Sequence, residues 1–184
     1  MVIKMIFEKL QNLYRMFKPY NLKYNTKVLK SRGITIGRES QWFSEYMPSK
    51  SEGNMISIGD YTNIGMRVRF LNHDGAIGTH INRNPKFIEK KIHVTKMGKI
   101  SIGNHVFIGD SSIILPSVTI GDFSIIAAGS VVTKNVPGWE VWGGVPAKFI
   151  KSSIDWVEEV LKSNQIYMKR NEIEECLNVN PHKL

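Results

Sequence analysis

Residues Ile100 to Pro137 read ISIGNHVFIGDSSIILPSVTIGDFSIIAAGSVVTKNVP. Within them Ile102, Ile108, Ile114, Ile120, Ile126 and Val132 recur at every sixth position. Four residues after each aliphatic comes a second small or β-branched side chain: Val106, Ser112, Val118, Ser124, Ser130 and Val136. The residue directly after each sixth-position aliphatic is Gly103, Gly109, Leu115, Gly121, Ala127 or Thr133. A fixed internal period governs the whole fold. Six belongs neither to an amphipathic helix nor to a half-buried strand.

Each unit offers a short β-branched run, suited to a pleated strand, followed in several repeats by Gly-Asp or Gly-Asn, suited to a corner. On this reading the glycines serve the corners because they reach positive φ without a Cβ clash. Strand, corner, strand, corner describes a chain coiling round a narrow prism. The aliphatic residues point inward, and successive coils are stacked at the strand spacing of about 4.8 Å. One coil cannot bury its own aliphatic residues, so the stack is several coils high and capped at its ends.

Working outward, Ile34-Thr35-Ile36-Gly37 carries the first such signature, and Gln41 to Asn54 then breaks the phase. Trp42, Phe43 and Tyr46 in that break either pack the wall of a widened coil, the favoured reading, or line the acceptor site. The repeat resumes at Ile56-Ser57-Ile58-Gly59-Asp60, continues through Ile64 and Phe70, and breaks again between Leu71 and Lys99. A long insertion in a regular coil is where function concentrates. This one contains His73, Asp74, His80 and His93, with Gly75 and Gly78 as expected flexible points of a projecting arm. Gly138, Gly143 and Gly144 let the chain leave the last coil. Ser152 or Ser153 then caps a helix expected to run to about Leu177.

Four stretches carry a family resemblance: NHDG at Asn72–Gly75, NHVFIGDSS at Asn104–Ser112, IAAGSVVTKNVP at Ile126–Pro137 and GGVPAKFI at Gly143–Ile150. Together they resemble the hexapeptide-repeat acyltransferases, in the branch of sugar O-acetyltransferases and xenobiotic acetyltransferases. The resemblance spans Gly33 to Lys151. It implies an all-β domain, a left-handed parallel β-helix with three hexapeptides per coil. Left-handedness departs from the usual crossover rule and rests on the resemblance alone. The implied organisation is an N-terminal amphipathic helix and linker over residues 1–31, the β-helix over 32–150 with the loop 71–99 projecting, and a C-terminal helix and tail over 151–184.

The resemblance also assigns roles. His73, which opens the insertion, is implied as general base, and its neighbours Asn72 and Asp74 are suited to orient the ring. Together with His80 in the arm, these two are candidates for contact with the acceptor. Asp110, Ala128, Thr133 and Lys134 align with positions that touch the arm of acetyl-CoA. Lys148 aligns with a basic residue near the nucleotide phosphates. Phe107 stands where that branch often has tryptophan, and Asp110 where sugar acetyltransferases commonly have serine. Gly109, with Ala127, Ala128 and Gly129, keeps the wall flat enough for a linear pantetheine chain. The implied assembly is a homotrimer with active sites between subunits.

Other chemistries are not supported. The one cysteine, Cys176, has no neighbouring histidine, and no Gly-x-Ser-x-Gly elbow occurs. A covalent acyl-enzyme therefore has no support, and direct attack on a thioester remains. No pair of histidines has zinc-ligand spacing on the coils, so no metal is expected. A Gly-x4-Gly-Lys-Ser/Thr loop is missing. The 184 residues carry a formal net charge of +9. That balance suits solvated lysines or an anionic cofactor, glycan or membrane surface. No basic reading helix or RNA-binding aromatic motif appears, so nucleic acid is not an expected partner.

Met1 to Lys18 places Ile3, Ile6, Phe7, Leu10, Leu13, Tyr14 and Phe17 on one helical face. It is too short and too charged to span a bilayer and lacks a signal-peptide cleavage site. A cap over the first coil is one reading, and an interfacial helix making peripheral membrane contact is the other. A single cysteine gives no argument for secretion, so the expected location is cytoplasmic, at the inner membrane face if the helix is interfacial. The expected activity is acetyl transfer from acetyl-CoA to a hydroxyl of a saccharide acceptor, a surface polysaccharide or its precursor. An antibiotic hydroxyl, an amino-sugar amine or a non-catalytic scaffold are the alternatives.

Overall fold

The computed structural model describes residues 22–81, 83–90 and 94–163. The expected helix at Met1–Lys18, His93, Cys176 and the tail lie outside the described residues. The described residues divide between two units, residues 22–154 and residues 155–163.

In the larger unit, helix α1 (Leu22–Ser31) leads into strands β1 (Thr35–Ile36) and β2 (Gln41–Trp42), the short helix α2 (Lys50–Gly53), and strands β3 (Ile56–Ile58), β4 (Asn63–Ile64) and β5 (Arg69–Phe70). The insertion follows: β6 (His73–Asp74), α3 (Ala76–Ile81), α4 (Pro85–Glu89) and β7 (Lys96–Met97). Then come β8 (Ile100–Ile102), β9 (Phe107–Ile108), β10 (Ile113–Ile114), β11 (Thr119–Ile120), β12 (Ile125–Ile126) and β13 (Val131–Val132). The chain closes with the hairpin strands β14 (Glu140–Gly144) and β15 (Ala147–Ser152). Helix α5 (Ser153–Lys162) begins at the unit boundary, where the Ile154 amide donates to Ser152 Oγ at 3.1 Å. In the described part of the second unit, Lys162 Nζ lies 3.5 Å from Glu158 Oε2. No helix among the described residues is long and apolar enough to cross a membrane.

Successive strands visit three sheets in rotation. The first has the order β1-β3-β8-β11, the second β2-β4-β9-β12-β14-β15 and the third β5-β10-β13. Their ladders are parallel except for the terminal β14–β15 pair. The sequence period fixes the register. Ser101 pairs with Thr119, Phe107 with Ile125 and Ile113 with Val131, each three hexapeptides on. Ile58 pairs directly with Ile102, so the whole 71–99 insertion loops out between β5 and β8.

The aliphatic column is the core. Ile102, Ile108, Ile114, Ile120, Ile126 and Val132 are all buried, each at most 4% exposed. Fully burying one such side chain stabilises by about 1.5–3 kcal/mol. The second column faces inward too, and its hydroxyls bond to carbonyls: Ser112 Oγ to Ala127 O at 3.1 Å and Ser124 Oγ to Pro137 O at 2.7 Å. Serine fits there because its small donor is satisfied inside the stack. Trp42 is wall, as its aromatic character suggests: it is buried and its ring stacks on Phe70 at 5.2 Å.

The corners differ from the sequence expectation. Gly103, Gly109 and Gly121 do not take positive φ. The left-handed residues are those two positions later, His105 (φ 55°), Ser111 (61°) and Phe123 (59°), and, two after Ala127, Gly129 (69°). The glycine after each strand answers a different need, close approach between coils: a Cβ on Gly109 would sit 2.5 Å from the backbone nitrogen of Ala128. The left-handed corners are tied by coil-to-coil bonds. The amide of His105 donates to Asp60 O and that of Phe123 to Asn104 O, each at 2.9 Å. The Asp or Asn before each corner clamps the coil below it in sequence. Asp122 Oδ1 accepts from the Asn104 amide, Asn104 Oδ1 from Asp60, and Asp60 Oδ1 from Arg38, each at 2.8 Å.

Two other segments depart from expectation. The stretch before Ser31, expected as linker, contains α1, whose Leu29 is fully buried in the core. Gly78, expected as a flexible point, is buried within α3.

Candidate active site

The site begins where the third sheet is interrupted. After Phe70 the chain would turn as it does after Ile114 and Val132, its register partners. Instead it enters the insertion, closed at its base by the antiparallel pairs His73 with Met97 and Asp74 with Lys96. Asn72 anchors that exit. It is fully buried, its Nδ2 donates to Glu52 O at 2.6 Å, and its own carbonyl accepts from the Gly98 amide at 2.9 Å.

His73 follows with its side chain 48% exposed. Its Nδ1 lies 3.2 Å from Glu52 Oε1 and 3.3 Å from Asn72 Oδ1. The second neighbour expected to orient the ring, Asp74, is engaged elsewhere: its Oδ1 accepts from the Ala76 amide at 2.8 Å. Glu52 takes that place, and it is held firmly. The Ser49 amide donates to Glu52 Oε2 at 2.6 Å, and the Glu52 amide donates to Ser49 Oγ at 3.3 Å. This reciprocal capping box starts α2. The hydrogen bonds from Ser49, aided by the nearby His73 and opposed by burial, hold the Glu52 carboxyl below its ordinary range. Beside it, burial and the charge of Glu52 push the Tyr46 phenol up against the pull of Arg69, whose guanidinium lies 5.9 Å from the Tyr46 ring centroid.

Glu52 was not among the residues singled out from sequence. The pattern Ser49-x-x-Glu52 ahead of Gly53-Asn54 is a legible helix start. Nothing local shows that its carboxylate meets a histidine on a later coil.

The other candidates fall at two corners, one face and one hairpin. By the register Phe70–Ile114–Val132, Thr133 and Lys134 stand on the same corner as Leu71 and Asn72, two coils away, or roughly 10 Å. Both are exposed. Asp110 and Ala128 stand on the corner at the opposite edge of the third sheet, with Gly109 buried beneath Ala128. Asp110 Oδ1 accepts from the Met66 amide at 2.9 Å, so one carboxylate oxygen acts as a coil clamp. Phe107 projects from the second sheet, 43% exposed. Lys148 is exposed on β15 opposite Gly143. His80 is exposed on α3, and no bond joins it to His73. His105 faces out as its position suggests, stacked between Tyr61 at 5.0 Å and Phe123 at 4.7 Å.

An exposed histidine with one ring nitrogen tied to a carboxylate can take a proton at the other nitrogen. Comparison with known proteins identifies the scaffold that carries it. Residues 99–134 match the family described as bacterial transferase hexapeptide (six repeats). The chain is 37% identical to Protein CapG of Staphylococcus aureus over 157 residues, 85% of this chain and 83% of that one. Among solved structures, a galactoside acetyltransferase in complex with coenzyme A is similar at a TM-score of 0.52 and 29% identity, over 75% of this chain and 61% of that one. A hexapeptide-repeat acetyltransferase from Vibrio cholerae complexed with acetyl-CoA is similar at 0.51 and 27%, over 65% of this chain and 60% of that one. The chain thus spans about three fifths of these two solved acetyltransferases. With its parallel three-sheet stack, its repeat and its likeness to CapG along most of both chains, this protein belongs to the hexapeptide-repeat acyltransferase family.

Proposed function

We propose that this chain is an acetyl-CoA-dependent O-acetyltransferase whose acceptor is a hydroxyl of a saccharide. One observation carries the reading. His73, half exposed, is held through Nδ1 at the point where the stack is interrupted, on the corner shared with Thr133 and Lys134. The similar chains that hold coenzyme A or acetyl-CoA, one of them a galactoside acetyltransferase, support the donor and the acceptor class. The coil is proposed to wind left-handed and to assemble as a trimer with the site between subunits, as the family resemblance implies.

The chain's own residues fit the donor. Ala128 and Gly129 form an open, small-residue edge, with no atom within 4 Å of a Cβ placed on Gly129. A linear pantetheine can lie close to such an edge. Lys134 and Lys148 are exposed cations suited to an anionic nucleotide. In the reaction the acceptor oxygen attacks the thioester carbonyl while its proton passes to His73 Nε2. The new O–C bond forms, the C–S bond breaks, and the imidazolium returns the proton to the departing thiolate. No acyl-enzyme intervenes.

The test is thiol release from acetyl-CoA across a panel of oligosaccharides and hydroxyl-bearing antibiotics, with wild type and His73→Ala. The expected result is turnover on a saccharide, reduced by about 10²–10⁴-fold in the variant, the usual contribution of a general base. Turnover confined to antibiotics, or an equally active His73→Ala protein, overturns the reading.

A further inference from the structure

We infer that Glu52 is the positioning residue for His73, and that its helix cap sets which ring nitrogen carries the proton. The inference rests on the reading of His73 as the base. Glu52 Oε1 lies 3.2 Å from His73 Nδ1, while Glu52 Oε2 accepts from the Ser49 amide at 2.6 Å. The two carboxylate oxygens thus have separate partners. A carboxylate only accepts, so an ion-pair contact at this distance favours the hydrogen on Nδ1. Asn72 Oδ1, 3.3 Å from the same nitrogen, accepts in the same sense, because the Nδ2 of Asn72 is committed to Glu52 O. Both partners of Nδ1 therefore select one tautomer, which leaves a lone pair on Nε2 for the acceptor proton.

The cap makes this arrangement stiff. Glu52 is the third residue of α2, and the Ser49 box fixes its rotamer before any substrate arrives. Asn72 ties the same residue's carbonyl to the segment that carries His73. Ser49, Glu52, Asn72 and His73 form one hydrogen-bonded unit, drawn from two breaks in the repeat.

Glu52→Gln separates positioning from folding. Glutamine is equally able to complete a capping box, with its carbonyl oxygen accepting from the Ser49 amide. Its NH2 group then faces His73 Nδ1 and donates to it. The substitution keeps the cap and favours the opposite tautomer, with the proton on Nε2 and no lone pair toward the acceptor.

The experiment uses the full chain labelled with 15N-histidine. Two-bond 1H–15N ring spectra assign the His73 tautomer in wild type, Glu52→Gln and Glu52→Asp, with His73→Ala for assignment. Wild type is expected to show Nδ1 protonated, and Glu52→Gln to shift the proton to Nε2. On the saccharide found by thiol release, kcat is expected to fall by roughly 10²-fold in Glu52→Gln, the low end of a general-base contribution. The KM for acetyl-CoA should stay unchanged, and Glu52→Asp should recover part of the rate. A wild-type ring protonated on Nε2, or a tautomer unchanged by Glu52→Gln, overturns the inference. Wild-type kcat in Glu52→Gln beside an inactive His73→Ala overturns the inference and leaves the base in place. An active His73→Ala overturns the reading beneath it.

Discussion

The side-chain amide of Asn72 donates to the main-chain carbonyl of Glu52 at 2.6 Å, joining the residue before His73 to the residue that meets its ring. Asn72 is fully buried. Asn72→Ala removes this donor, while Glu52 O keeps the Met55 amide at 3.0 Å. The loss is therefore that of one net hydrogen bond, about 0.5–1.5 kcal/mol. Urea unfolding of Asn72→Ala is expected to show a midpoint lowered by a corresponding amount with an unchanged slope. A midpoint equal to that of wild type would mean the Asn72 bond adds nothing net to stability.

Gly109 and Gly129 are both corner glycines, needed for opposite reasons. At Gly109 a methyl group would meet the Ala128 backbone at 2.5 Å, and backbone in a stacked coil cannot move aside. Overpacking of this kind costs about 1–3 kcal/mol. At Gly129 a methyl group meets nothing, but φ is +69°. A non-glycine residue there costs about 1–2 kcal/mol. Gly129→Asn is therefore expected to lie closer to wild type than Gly129→Val, because asparagine tolerates the left-handed region. Gly109→Asn should give no such relief over Gly109→Ala. Thermal melts of the four variants check the pattern.

How much of this was legible follows from where each constraint acts. The period of six dictated the inward columns, because every Ile102-type residue must face the axis for any coil to close. It also dictated the pairing of Ser101 with Thr119. The left-handed corners were not legible. Tyr61, His105, Phe123 and Trp139 adopt positive φ without glycine because the coil-to-coil bonds of the stack hold them there. No single hexapeptide contains that bond. Asp110 aligns with a cofactor contact, and its coil clamp to Met66 was not legible because it spans a separation of 44 residues. His73 was legible because it stands at a break in a regular pattern. Glu52 was not, because it stands in the other irregular segment.

The stacked corner rings are expected to make stability acid-sensitive at His105. Burial between Tyr61 and Phe123 pushes His105 below the ordinary histidine value, against the pull of Asp122 and Asp60. Its folded pKa is therefore lower than its unfolded one, which is about 6.5. The neutral ring contributes its full stability above pH 6.5, and that contribution is lost as pH falls through the folded value. His105→Phe keeps the stack and removes the titration. Between pH 7 and pH 5 wild type is expected to lose more stability than His105→Phe, measured by denaturant midpoint. Parallel losses in the two proteins would place the acid sensitivity elsewhere.

Lys148 tests the donor site at a distance from the chemistry. It is exposed on β15, on the hairpin that closes the second sheet, and no bond or ion pair engages its ammonium group among the described residues. An exposed cation suits the phosphates of an extended thioester donor. Its attraction to them acts through solvent and is screened over about 10 Å at 0.1 M salt. Lys148→Glu replaces attraction with repulsion and leaves the β14–β15 ladder, made by backbone groups, intact. Coenzyme A affinity, measured calorimetrically, is expected to fall by about ten- to thirtyfold at low salt, corresponding to roughly 1.4–2 kcal/mol. The gap between variant and wild type should narrow as salt rises, while His73-dependent kcat at saturating donor stays near wild type. If coenzyme A binds both proteins equally at low salt, the phosphates lie elsewhere and Lys148 only faces solvent.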